Sequence, residues 1–414
     1  MNQTIITQVL PCDPTSISFS DSNGDSTPII SSEETLASLK TAVSDLVSLN
    51  VPVVFPTETV YGLAAPALIS SAVSQIFTTK GRPADNPLIV HVSSPEMLKS
   101  ILPSSFVIPS SYNLLMQAFW PGPLTLLFPA TPQIPSIITA SRDTVAIRMP
   151  SHPVARALIQ MCNTPLAAPS ANTSGSPSPT KAEHVLHNLF GKVRVILDGG
   201  PCDVGLESTV VDGLSSDGAI RVLRPGGVTV EDMERVLAVG GVTPKILVHR
   251  RDFRDEGLEN APTTPGMKYR HYSPSIPVVL LLTSIPPENQ TALSLPETFS
   301  IILSSYPPNS PVKIGLLTPS DSPLSSLPSR LKRYAEVELN WDYFPLGTVD
   351  EPSLTAQRLF DGLLTLERNG VDLIIVEGVE EAREGLAVMN RVRKAAGEVH
   401  WVAVDEPLSQ FDAR

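Results

Sequence analysis

The segment "IFTTKGRPADNPLIVHV", residues 76–92, sets Lys80, Arg82, Asp85 and Asn86 between two apolar runs. Pro83 and Pro87 fix φ and withdraw two backbone donors, so the middle must be a loop feeding a short β-rich run at 88–92. Two cations and an amide at the mouth of a buried strand suit an anion. Taken alone, the segment reads as a solvated surface turn, and its meaning depends on what else the chain places beside it.

Several other polar loops adjoin strand-like runs. "FPTETVYGLAA" puts Thr57, Glu58 and Thr59 after the strand 51–55, which Pro56 ends. In "LIVHV" a period of two sends Leu88, Val90 and Val92 to one face and Ile89 and His91 to the other. In "SRDTVAIRMP" Thr144, Ala146 and Arg148 share a face. A guanidinium on an otherwise apolar strand is costly unless it meets an anion, either a ligand or a carboxylate such as Glu207. "PLAAPSANTSGSPSPTKAEHV" rings Gly175 with Ser170, Asn172, Thr173, Ser174, Ser176 and Ser178 just ahead of a helix. Hydroxyls and free N–H groups there suit phosphate oxygens, although a plain Ser/Pro connector has the same composition. "LESTVVDG" adds Ser208 and Thr209, and "RVLRPGG" adds Arg221 and Arg224.

Familiar signatures are missing: no GxxxxGK[ST], no GxGxxG after a strand, no GxSxG and no HExxH. His184 and His187 stand three apart on a helix, but nothing completes a metal set, so they read as a surface pair. The chain has 414 residues, which points to two domains, and its 42% hydrophobic and 17% charged residues are those of a packed protein. Its 41 prolines call for many ordered loops. Net charge is −12 and the pI about 5.1, against a non-specific grip on nucleic acid. Cys12, Cys162 and Cys202 are far apart and read as free thiols in a reducing compartment. No run approaches the roughly 18 apolar residues of a membrane span, and the N-terminus carries acids rather than a basic leader. A soluble, cytoplasmic protein is the expectation.

Residues 1–30 read as a polar N-terminal extension. Between 31 and 247, helix-like spacing (31–50, 70–79, 94–102, 111–118, 153–162, 181–190, 231–238) alternates with strand-like runs (51–55, 88–92, 124–128, 145–149, 193–197, 208–211), which predicts a layered α/β domain. Thr180 and Glu183 have capping-box spacing for the helix at 181. Within residues 1–245, 14 Lys and Arg face 19 Asp and Glu, so this domain is not basic. Residues 248–275, rich in charge, Pro and Gly, read as a linker. From 276 to 410, "IPVVLLLTS", "VKIGLLTP" and "VDLIIVEGV" are buried-strand runs, with helices at 353–368 and 385–396, a second, smaller α/β domain. The Ser/Pro stretches at 285–299 and 318–329 read as loops.

In order along the chain, PTETVYGL, KGRP with NPL, PGPLT, VAIRMP, PSAN with SG, ESTVVD and RPG resemble the YrdC-like domain of the threonylcarbamoyl-AMP synthase family over about residues 35 to 230. "PGMKYRHYSP" and "GLAVMNRVRKAAG" resemble the long, two-domain form. The chain departs from that pattern at Ala64-Ala65-Pro66, where the family commonly has Gly and an acidic or amide residue.

The resemblance implies a YrdC-like twisted mixed sheet with helices, joined by a linker to a smaller Rossmann-like domain. It implies synthesis of threonylcarbamoyl-AMP and pyrophosphate from L-threonine, bicarbonate (or CO2) and ATP, for N6-threonylcarbamoyladenosine in tRNA. Mg2+ would come with ATP, without a tightly bound cofactor. Partners would be a downstream threonylcarbamoyl transferase machinery and, weakly, tRNA, with no membrane. By the same resemblance Lys80 and Arg82 are catalytic. Thr59, His91, Arg148, Ala168 and Ser208 line the threonine side. Arg82, Asn86, Thr144, Ser170, Ser178, Arg224 and the linker's Tyr272 line the ATP side, and Ala168 and Thr144 act mainly through backbone groups. An RNA-binding module without adenylate-forming activity is the alternative, and the acidic balance counts against it. A carbamoyl transferase of hydrogenase maturation would carry acylphosphatase and zinc-finger segments, which this sequence lacks.

Overall fold

The computed structural model describes residues 5–20, 27–255, 263 and 271–404. Two compact units divide the chain, residues 1–174 with 178–269, and 175–177 with 270–414. In the first, Ser32 accepts the Thr35 N–H at 3.2 Å and Glu33 and Glu34 occupy the first turn, which satisfies free donors at a helix start. Helix α1 (Glu33–Val43) follows, laying Leu39 and Ala42 on the core. Helix α2 (Ser70–Lys80) stops because Gly81 takes the left-handed conformation, φ 62°, that a side chain resists. That turn leaves Lys80 buried and sends the chain into the 82–87 loop.

The strands of this unit are β1 (Gln8–Pro11), β2 (Ile17–Ser18), β3 (Ile29–Ile30), β4 (Val53–Phe55), β5 (Gly62–Pro66), β6 (Ile89–His91), β7 (Leu124–Pro129), β8 (Thr144–Arg148), β9 (Leu166–Ala167), β10 (Val195–Asp198), β11 (Thr209–Asp212), β12 (Ile220–Arg224) and β13 (Ile246–Val248). Among the described residues, eleven form one mixed sheet in the order β1-β10-β4-β5-β9-β6-β8-β7-β11-β12-β13. Leu39, Leu46, Phe55, Leu158, Ile159 and Leu197 form the core on one side of its first half.

The second unit holds β14 (Val278–Leu282), β15 (Leu293–Ser294), β16 (Val312–Thr318), β17 (Arg333–Tyr334), β18 (Val337–Pro345), β19 (Leu373–Glu377) and β20 (Glu398–Ala403), ordered β15-β20-β14-β19-β16-β18-β17. All pairs but β17–β18 are parallel, as the continuous apolar runs require. No described helix is long and apolar enough to cross a membrane.

The structure corrects several local expectations. Gln8–Pro11 is a strand running parallel to β10, with Leu10 against the core, so the first thirty residues are more than a polar extension. Thr180 and Glu183 do not form the capping box. The helix Ala182–Leu189 begins after Lys181 without a side-chain cap, and the Thr180 N–H donates to His184 Nδ1 at 3.3 Å. His184 is thereby buried rather than half of a surface pair. Within 285–299 a helix (Leu295–Leu303) starts at a true capping box of Ser294 and Glu297. The stretch at 318–329 is not a plain loop: Pro323–Ser326 and Leu327–Arg330 are short helical turns, and Thr318 and Ser322 donate to the buried carboxylate of Glu377. Ala64-Ala65-Pro66 belong to β5. Of the linker motif, Lys268, Tyr269 and Arg270 lie outside the described residues.

Candidate active site

His91 ends β6, Arg148 ends β8 and Thr125 lies second in β7, and register sets His91 opposite Arg148 and Arg148 opposite Thr125. Directly paired residues share a sheet face, so a polar row crosses the middle of this sheet. All three side chains are buried. The Arg148 guanidinium donates through Nε to Gly122 O (3.2 Å), through Nη1 to Thr59 Oγ1 (2.8 Å) and through Nη2 to Glu58 Oε1. Arginine has five N–H groups, so one remains on each terminal nitrogen, as a carboxylate held by two parallel bonds needs. The compensating acid is Glu58. Its second oxygen takes the Ser151 N–H at 3.1 Å, while Glu207 accepts from Ser178 Oγ at 2.5 Å.

Burial, aided by the Arg148 charge, pushes the His91 imidazole down to about 3, so it is neutral across the physiological range. Its Nδ1 is buried without a hydrogen-bond partner. The sign of the pH effect follows. Between about pH 3 and pH 6.5 the unfolded chain binds more protons at this residue than the folded one, so stability rises with pH through that window. Acidification from pH 6.5 should therefore lower the melting temperature of the wild type more steeply than that of His91→Gln. Parallel melting curves against pH would refute this.

A second cluster gathers at the end of α2. Lys80 Nζ donates to Ser170 O (2.5 Å) and to Asn172 O, and Asn172 Oδ1 accepts from Ser170 Oγ at 2.5 Å. Burial pushes the Lys80 ammonium well down, Arg82 adds to this, and Glu207 opposes both. Arg82 folds over its own loop, Nε to Asn86 O at 3.1 Å and Nη2 to Pro87 O at 2.8 Å. The Asn86 side chain is buried with neither its amide nitrogen nor its oxygen bonded. A buried amide with both functions open is costly unless a ligand completes it.

The third cluster joins strands β11 and β12. Arg224 donates through Nε and Nη2 to Ser208 O (3.2 and 3.0 Å), and Nη2 also reaches Ser208 Oγ at 3.3 Å. Loops knit the clusters together: Ala171 N–H to Tyr61 O, Cys202 N–H to Thr180 O and Val204 N–H to Glu58 O, each 2.8–2.9 Å.

Of the residues singled out from the sequence, Thr59, His91 and Arg148 meet directly or as strand neighbours, as do Lys80 with Ser170 and Ser208 with Arg224. The Ala168 N–H is taken by Ile89 O at 3.0 Å. Thr144 stands at the opposite end of β8 from Arg148. Tyr272 belongs to the second unit, buried with its ring 5.3 Å from Phe360 and 5.7 Å from the Arg391 guanidinium. Sequence reading missed Glu58 and Asn172 as site members, though both lie inside motifs it had marked. It also missed Thr125, a hydroxyl in an apolar strand that closes the marked motif PGPLT. Among the described residues no three His, Cys, Asp or Glu side chains converge to hold a metal ion.

Residues 46–226 match a family model described as "Telomere recombination", and residues 228–397 one described as "Threonylcarbamoyl-AMP synthase, C-terminal domain". The chain is 42% identical over 387 residues to a threonylcarbamoyl-AMP synthase of Schizosaccharomyces pombe, covering 88% of this chain and 90% of that one. To the Pyrococcus abyssi threonylcarbamoyl-AMP synthase it is 41% identical over 346 residues, 83% and 90% of the two chains. The crystal structure of P. abyssi Sua5 complexed with L-threonine superposes with a TM-score of 0.69 at 38% identity, over 88% of this chain and 96% of that one. With both parts matched in order and the likeness running through most of its length, this chain belongs to the threonylcarbamoyl-AMP synthase family.

Proposed function

We propose that the chain makes L-threonylcarbamoyl-adenylate from L-threonine, bicarbonate or CO2, and ATP, supplying the intermediate for N6-threonylcarbamoyladenosine in tRNA. The observation that carries this reading is Arg148, buried beside neutral His91 with one N–H left on each terminal nitrogen. Such a fork selects a carboxylate, and its neighbours Thr59 and Ser208 offer hydroxyls to the rest of an amino acid.

The threonine amine adds to CO2, a proton leaves the nitrogen, and the carbamate oxygen attacks the α-phosphorus as pyrophosphate departs. From bicarbonate the same balance releases one water. No side-chain nucleophile is required. Lys80 and Arg82 orient the anions and offset charge growing on phosphate, and Asn86, Thr144, Ser170, Ser178 and Arg224 hold the nucleotide. Mg2+ enters as MgATP, a substrate rather than a resident ion. The catalytic domain runs to about residue 247 and includes the N-terminal strand β1, residues 248–275 link it onward, and 276–410 are an accessory α/β domain. The product passes, in the cytoplasm, to a threonylcarbamoyl transferase, with at most weak contact to tRNA.

Purified protein given L-threonine, bicarbonate, Mg2+ and ATP should release pyrophosphate, and omitting threonine or bicarbonate should reduce release to background. Release indifferent to both would make the chain a simple ATPase. No release under any condition would favour an RNA-binding role.

A further inference from the structure

Thr125 closes the segment "PGPLT", residues 121–125, and has no role so far in the proposed reaction. It is fully buried in the polar row, paired with Arg148 on one side and Val210 of β11 on the other. Its Oγ1 lies 2.7 Å from Ser208 Oγ, the one partner of this hydroxyl among the described residues. A serine hydroxyl has one proton and two acceptor positions. Arg224 can only donate, so its Nη2 contact fills one acceptor position of Ser208. If Thr125 donates as well, both are filled, and the Ser208 proton has to go to a third group.

We infer that Thr125 is a positioning residue that fixes Ser208 as a hydrogen-bond donor toward an acceptor oxygen of the amino-acid substrate. This rests on the proposed reaction. In the opposite orientation Ser208 would spend its proton on Thr125 and could meet the substrate only as an acceptor. The substrate selects the first orientation, because its carboxylate, drawn to Arg148, presents acceptors and no donors. Thr125 therefore acts on threonine affinity through Ser208 alone.

Thr125→Val keeps the shape and removes the O–H. A lost hydrogen bond of this kind should raise KM for L-threonine about five- to tenfold, with KM for ATP changed less than about twofold. Thr125→Ser, which restores the hydroxyl, should return KM for threonine to within about twofold of wild type. In a Ser208→Ala background, Thr125→Val should add less than about twofold, because its only route is already cut. Titration calorimetry of L-threonine without ATP gives the same comparison as a binding constant. Should the valine variant fail to fold, Thr125→Cys, with a weaker donor of similar size, takes its place. An unchanged KM for threonine, a serine variant as impaired as valine, equal losses for both substrates, or full additivity with Ser208→Ala would each overturn the inference. Threonine-dependent release by the wild type stands apart from these outcomes, and its absence would instead remove the reaction on which the inference rests.

Discussion

Lys80→Met should lower threonine-dependent pyrophosphate release by a factor on the order of 10²–10³, the usual cost of losing one pre-set electrostatic donor. The substitution keeps the length and apolar stem of the side chain and removes only its charge and three donors. Lys80 is buried, and its ammonium is fixed by the carbonyls of Ser170 and Asn172, so it is already aimed before any substrate arrives. Arg82 does not stand in for it, since its guanidinium is held to its own loop through Asn86 O and Pro87 O rather than at the Ser170 and Asn172 carbonyls. Stability should change little. Methionine relieves the burial of a charge that pushes the lysine well down, and it leaves two carbonyls short of a donor, effects of opposite sign. Steady-state pyrophosphate release and a thermal melt on the same preparation test both halves. More than a tenth of wild-type turnover in a folded variant would remove Lys80 from the chemistry.

Arg148→Lys should raise KM for L-threonine by about one to two orders of magnitude and leave KM for ATP within about threefold. One ammonium cannot serve Gly122 O, Thr59 Oγ1 and Glu58 together and still offer two parallel bonds to a ligand carboxylate. The fold should survive, because lysine still places a cation beside buried Glu58. Arg148→Met gives the contrast. It strands the Glu58 carboxylate without a counter-charge, which typically costs about 3–5 kcal/mol, so its melting temperature should fall sharply. Calorimetric binding of threonine and of an ATP analogue, with melts of both variants, separates ligand recognition from the ion pair. Equal loss of both ligands in Arg148→Lys would assign Arg148 to structure alone.

Those two residues also mark what could be read from the chain in advance. Lys80, Arg82 and Arg148 stood out as candidates because local covalent order marks them: two prolines around a loop, and a period of two that places a cation on an apolar strand. Most of the longer helices and fewer than half of the strands were legible for the same reason, since 3.6- and 2-residue periodicities repeat within a few turns or pleats. Short strands such as β9 and β13 carry too few residues to show a period. The Arg148 partner was not legible. Glu58 and Glu207 are the same residue type and both remote in sequence, and only the order of strands in the sheet brings the loop after β4, and so Glu58, to the guanidinium.

The same distinction governs the other surprises. Gln8–Pro11 is too short to announce a strand by itself, and it becomes one because the free edge of β10 accepts it. Thr180 and Glu183 have the spacing of a cap, yet His184 takes the Thr180 N–H and leaves the helix start uncapped. Thr125 is one hydroxyl in an apolar strand until β7 lies beside β11 and sets it 2.7 Å from Ser208. Residue type, helix stops and strand faces were determined by the sequence itself, because they depend on contacts a few residues apart. Which acid neutralises Arg148, which hydroxyl orients Ser208 and which edge receives the N-terminus were decided only in the folded chain, because each depends on strands whose adjacency is a property of the whole sheet.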